Sequence, residues 1–140
     1  MLSVTLDTNI YVSALEFGGV GARLLGMARA GMFRIDVSDA ILDEVVTVLR
    51  DDFRWEGYRL HFAREQIADM ANRVVPLHEL DVIKEDPDDN RILECAVEAK
   101  SSFIVSWDKD LLRLGSYGEV RMVTAKRFME TMVPRSGPGR

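Results

Sequence analysis

The sequence predicts a three-layer α/β fold, with helices on both faces of a central parallel sheet of about five strands. Three observations predict it. Short apolar, β-branched runs alternate with stretches of helical apolar spacing, the pattern of a parallel sheet with crossover helices. Acidic residues follow directly on two of those runs, where an open α/β sheet presents its ligand-binding edge. The chain has 140 residues, 47% of them hydrophobic and 29% charged, which suits one domain able to bury its own core.

The elements read as follows. Leu2 to Leu6 is a buried strand, and a helix runs from Thr8 to about Glu16. Gly18-Gly19 breaks it. Val20 to Ala30 has helical spacing through Leu24, Leu25 and Ala28, and stops at Gly31. Phe33 to Val37 is a second strand, and Ser38 is a natural N-cap for a helix to about Arg50. A polar stretch bearing aromatics, DDFRWEGYRLHF, leads to a helix around Arg64 to Asn72. Val74 to Leu77 is the third strand. Asp86-Pro87 opens a helix to about Lys100, with Pro at its first position. Phe103 to Ser106 is the fourth strand, Leu111-Leu112 a short helical turn, and Val120 to Val123 the fifth strand. Thr124 caps a last helix to about Met132. Residues 1–132 are thus one domain, and 133–140, rich in Gly and Pro, are expected to be a disordered tail.

Several classes are disfavoured. No apolar run reaches the roughly 18 residues of a membrane span, and the N-terminus lacks a signal-peptide pattern, so a cytoplasmic protein is expected. The single cysteine, Cys95, lies in an apolar helical run and reads as a buried structural thiol. His61 and His78 are too isolated for a zinc site. No Gly-x-Gly-x-x-Gly loop follows the first strand. The net charge of −5 argues against a general nucleic-acid binder, although discounting four clustered acids leaves only −1.

Those acids are Asp7, Glu44, Asp89 and Asp108. Asp7 and Asp108 follow the first and fourth strands, so both face one sheet edge. Helical phase puts Asp89 with Ile92, Leu93 and Ala96 at the head of a buried face, while Asp88 points away. Glu44 sits on the shoulder of the stripe Ile41, Leu42, Val45, Val48 and Leu49. Plainer roles exist for each: Asp7 as a turn or cap residue, Asp86 with Asp89 as a capping box, Glu44 as a solvated neighbour of the core. Convergence is what points to chemistry. Crowded carboxylates resist ionisation, and a hard divalent cation such as Mg²⁺ or Mn²⁺ offsets their repulsion. Asn9, Ser106 and Asp110 extend the polar cluster. Trp107 reads as packing against the sheet, with base stacking as the alternative.

LDTNIYVSAL, VSDAILDEVVTVL and DPDDNRILECAVEAKSSFIVSWDKDLL resemble the PIN-domain family over essentially the whole chain to about residue 130. The last segment is the most specific and is similar to the branch of toxin components close to VapC-like proteins. The resemblance implies that Asp7, Glu44, Asp89 and Asp108 hold Mg²⁺ or Mn²⁺. Ser106 would order the site, and Asp110 falls on a position that is often acidic or amide. It also implies an endonuclease directed at single-stranded RNA, a homodimer, and inhibition by a small antitoxin. Water would then be the nucleophile, with Glu44 holding or deprotonating it or completing a second metal site, and a 5′-phosphate would remain. The alternatives are a catalytically idle domain of this family with a binding or regulatory role, and a receiver-type phosphoacceptor. The latter expects an acidic pair after the first strand and an Asp ending the third, and this chain has neither. A haloacid-dehalogenase-type phosphatase needs a second acid where Asn9 stands.

Overall fold

The centre of the molecule follows from its most apolar strands. The computed structural model describes residues 1–132, and the tail expected at 133–140 lies outside them. In chain order the elements are β1 (Ser3–Leu6), α1 (Thr8–Glu16), α2 (Gly19–Arg29), β2 (Arg34–Val37), α3 (Asp39–Phe53), α4 (Gly57–Met70) and β3 (Asn72–Arg73). There follow α5 (Asp89–Ala99), β4 (Phe103–Val105), α6 (Lys109–Leu114), β5 (Ser116–Tyr117), β6 (Val120–Val123) and α7 (Ala125–Met132). The sheet order is β3-β2-β1-β4-β6-β5. β1 is buried at every position and pairs in parallel with β2 on one side and β4 on the other. Phe128 of α7 packs edge-on against Phe33 and Phe103, at 5.0 and 5.9 Å between ring centroids, closing the core under the sheet.

Where the structure departs from the sequence pattern, a local reason is visible. The third strand is not Val74–Leu77 but Asn72–Arg73, in register with Asp36 and Val37. Val74 still donates its amide to Val37. Pro76 has no amide to continue the ladder, and Val75 and Leu77, whose apolar character suggested a strand, are exposed. α4 begins earlier than expected because Leu60, Ala63 and Ile67 already form its buried face. α3 runs on to Phe53, where Arg54 turns left-handed and Trp55 folds back, its indole donating to Glu16 at 2.6 Å. The sheet gains a sixth strand: β5 returns antiparallel to β6 through a tight turn at Gly118-Glu119, too short for a periodicity to register.

The crossing of α1 and α2 depends on one glycine. A Cβ at Gly21 would lie 2.8 Å from the Ile10 carbonyl oxygen and 2.9 Å from the Ala14 amide nitrogen, both backbone atoms. Neither can give way without moving α1. Gly21→Ala is therefore expected to cost about 1–3 kcal/mol through overpacking, read as a lowered urea midpoint at unchanged m-value. A midpoint equal to that of the unmodified chain would show that the two helices can separate freely.

Candidate metal centre

The carboxyl ends of β1 and β4 lie side by side, and the residues leaving them form part of one cleft of about 400 Å³. Asp7, Glu44, Asp89 and Asp108 all line it, together with Thr8 and Asn9. Asp7 is the first residue after β1 and the N-cap of α1, accepting from the Thr8 amide at 2.7 Å. Its cap role and its place in the cleft coexist. Ser106, wholly buried just past β4, donates its hydroxyl to Asp7 Oδ2 at 2.5 Å and accepts from the Asp108 amide at 2.8 Å. One hydroxyl thus locks the two strand-end acids together. Asp108 caps α6, its Oδ1 accepting from the amides of Asp110 and Leu111. Glu44 reaches in from α3 and accepts from the Thr8 hydroxyl at 3.3 Å.

Asp89 is the first residue of α5 and only 6% exposed, as its helical phase requires. The capping box suggested by Asp86 and Asp89 does not form. Pro87 and Asp88 lie in a turn before the helix, and Asp86 Oδ1 instead accepts from the Asp88 amide at 3.3 Å. Asp86 also lines the cleft, and the carboxylates of Asp86, Asp89 and Asp108 each offer an oxygen within 4.8 Å of the others. Sequence reasoning had used Asp86 only as a cap. The available signal was that two acids three residues apart make a poor capping box, because they repel.

Two expectations are revised. Asp110 does not face the cleft: it lines a separate hollow with Val82, Ile83 and Arg113, and pairs with Arg113 at 3.5 Å. Only its backbone amide serves the centre. Trp107 does not pack away against the sheet. It is 40% exposed and forms part of the cleft wall, as does Phe17, which is held edge-on by Phe53 at 5.6 Å. Phe17 was not among the residues singled out, since an aromatic at a helix end carries no local signal of what it will face. Cys95 is buried and its thiol is pushed up to about 12, chiefly by burial, so it is inert as a nucleophile.

The charge balance of the cleft is unfavourable as it stands. Burial, together with the charges of Asp108, Asp7 and Asp86, pushes Asp89 up to about 8. Asp7 rises to about 6, mainly through burial, although the bonds from Ser106 and Thr8 pull it down. Glu44 is raised by burial, opposed by the Thr8 hydroxyl and reinforced by Asp88, Asp7 and Asp86. Asp89 Oδ2 and Asn9 Oδ1 are buried without any hydrogen-bond donor. Buried acceptors are normally satisfied, so these oxygens fit a missing positive partner. The donor set is all oxygen, as Mg²⁺ and Mn²⁺ prefer. Neighbouring and opposite ligands around such an ion are separated by about 3.0–4.2 Å, close to the spacing of the three clustered carboxylates.

A model of the PIN domain family matches residues 3–110. Two solved structures share the fold. One is VapBC2 from Rickettsia felis bound to a DNA fragment from its promoter, 13% identical, with a TM-score of 0.62 over 88% of this chain and 98% of that one. The other is VapBC-1 from nontypeable Haemophilus influenzae, 14% identical, with a TM-score of 0.63 over 89% of this chain and 99% of that one. No curated protein sequence matches the chain. No helix among the described residues is long and apolar enough to cross a membrane. With a family model matching through both strand-end acids and the helix that carries Asp89, this chain belongs to the PIN domain family.

Proposed function

We propose that the protein is a divalent-cation-dependent endonuclease that hydrolyses phosphodiester bonds of single-stranded RNA, and that it is the toxin of a toxin–antitoxin pair. The observation that carries the reading is the meeting of Asp7, Glu44, Asp89 and Asp108 in one cleft, with a buried oxygen of Asp89 left unpaired. Bound there, Mg²⁺ or Mn²⁺ would supply Lewis acidity and counter the charge of the phosphate in the transition state. Asp89 and Asp108 would hold the ion, together with Asp7, which is oriented by Ser106 and Thr8. Glu44, half-buried and raised in pKa, would take a proton from the attacking water. Phe17 and Trp107 offer exposed ring faces beside the acids, and bases stack on such faces when a strand is unpaired, at about 1–3 kcal/mol per base. The VapBC neighbours support a small antitoxin as partner, and a homodimer completes the proposal.

Purified protein with Mn²⁺ should cut end-labelled single-stranded RNA, leave duplex RNA largely intact and release 5′-phosphate ends. Asp7→Asn should lower the rate by roughly 10²–10³-fold, the scale of removing one preorganised electrostatic group. An undiminished rate in that variant would remove Asp7 from the chemistry. Cation binding without cleavage of any strand would point to the idle, regulatory reading instead.

A further inference from the structure

Of the acids in the cleft, Asp86 is the one that no strand end or helical phase marks out. We propose that Asp86 is a direct ligand of the divalent ion, shared with Asp89 and Asp108. The inference rests on the reading that the cleft takes such an ion, and it assigns which carboxylates seat it.

Asp86, Asp89 and Asp108 are the acids whose oxygens already lie within 4.8 Å of one another among the described residues. That is close to the spread of an octahedral oxygen shell, about 4.2 Å across opposite ligands. The Asp89 side chain supplies a separate indication. It is 6% exposed, lines the cleft, and its Oδ2 is buried with no donor. Asp7 stands differently, because both of its oxygens already accept strong bonds, Oδ1 from Thr8 and Oδ2 from Ser106. It flanks the three-carboxylate group from the strand side.

The segment bearing Asp86 is also held in place. Asn90, 1% exposed, donates to the carbonyls of Ile83 and Pro87 and accepts from the amides of Val82 and Ile83. One amide side chain therefore pins the loop on both sides of Asp86. The amides of Asp89 and Asn90 bond back to the carbonyls of Asp86 and Pro87. A ligand on a loop fixed in this way meets the ion without a further ordering cost.

The test is titration of Mn²⁺ alone into the purified chain at pH 8.5, with free ion counted by electron paramagnetic resonance. Asp86→Asn keeps the oxygen that accepts from the Asp88 amide but removes the charge. It should weaken binding by about 10–100-fold, as loss of a group supporting a metal does. Asp88→Asn removes the same charge from an exposed neighbour and should stay within about threefold, since exposed charge is screened. Asp86→Ser also retains an oxygen near the Asp88 amide and must show the same loss if the Asn variant does not fold. Wild-type binding that is unchanged in Asp86→Asn overturns the assignment while leaving the cation reading intact. Absence of binding in the wild type overturns both.

Discussion

Asp89→Asn is expected to raise the melting temperature of the ion-free protein at pH 8 while sharply reducing both its response to Mn²⁺ and its cleavage of RNA. The first effect follows from linkage. Burial and the neighbouring acids raise Asp89 in the folded protein to about 8, from the ordinary 3.8 of an aspartate. Folding therefore favours the protonated carboxyl. The stability this contributes is fully present below about pH 3.8 and is lost as pH rises through about 8. Over that window the wild type in chelator should lose stability relative to the variant, because Asn carries no charge to bury. Discounted for solvent screening at the cleft mouth, relief of about 2 kcal/mol corresponds to a gain of roughly 6–10 °C for a chain of this size. Mn²⁺ acts in the opposite sense. It needs ionised carboxylates, so its stabilisation of the wild type should grow with pH, reaching about 2.7 kcal/mol at a concentration 100 times Kd. The variant should gain little from the ion at any pH, and its cleavage rate should fall by roughly 10²–10³-fold. Melting curves at pH 5 and pH 8, with chelator and with Mn²⁺, check all of this. A variant that melts at or below the wild type at pH 8 in chelator would mean that Asp89 is not under electrostatic strain.

The largest loss of stability is expected away from the cleft, in Asp36→Ala. Asp36 lies on β2 and is wholly buried. It accepts from Arg34 Nε at 2.8 Å, Asn72 Nδ2 at 3.0 Å and the Ser101 hydroxyl at 2.7 Å. Ser101 in turn lies 2.8 Å from the Thr5 hydroxyl on β1. This carboxylate ties β2 to the short β3, adding to their two-residue ladder and to the Arg73–Asp39 ion pair, and to the turn before β4. Removing it takes the acceptor from the buried Ser101 hydroxyl and from the half-buried Asn72 amide. Breaking a buried, hydrogen-bonded pair typically costs about 3–5 kcal/mol. Because Arg34 is 44% exposed and stays hydrated, about 3 kcal/mol is the better expectation. That is a large part of the roughly 5–15 kcal/mol that stabilises a domain. Urea unfolding measures it. Asp36→Asn, which keeps an acceptor and the volume, should lose less than Asp36→Ala. Equal, small losses in both would place β3 outside the cooperative unit.

The sequence by itself determined the alternation of strands and helices, the polar residues that follow β1 and β4, and the inward phase of Asp89 on its helix. Each depends on short-range rules: side-chain period, helix caps, and the direction in which a chain leaves a strand. What only the tertiary structure decided depends on partners remote in sequence. The third strand ended up at Asn72–Arg73 because Asp36 and Val37 offer pairing there, whereas Val75 and Leu77 turn their apolar side chains to solvent. Asp86 joined the acids through the path of a loop pinned by Asn90, and Asp110 left them in the first turn of α6, beside Arg113. Trp107 and Phe17 became walls of the cleft together, although they stand ninety residues apart in the chain. Electrostatic strain falls off with distance between charges, and distance is what a linear pattern of residues does not contain.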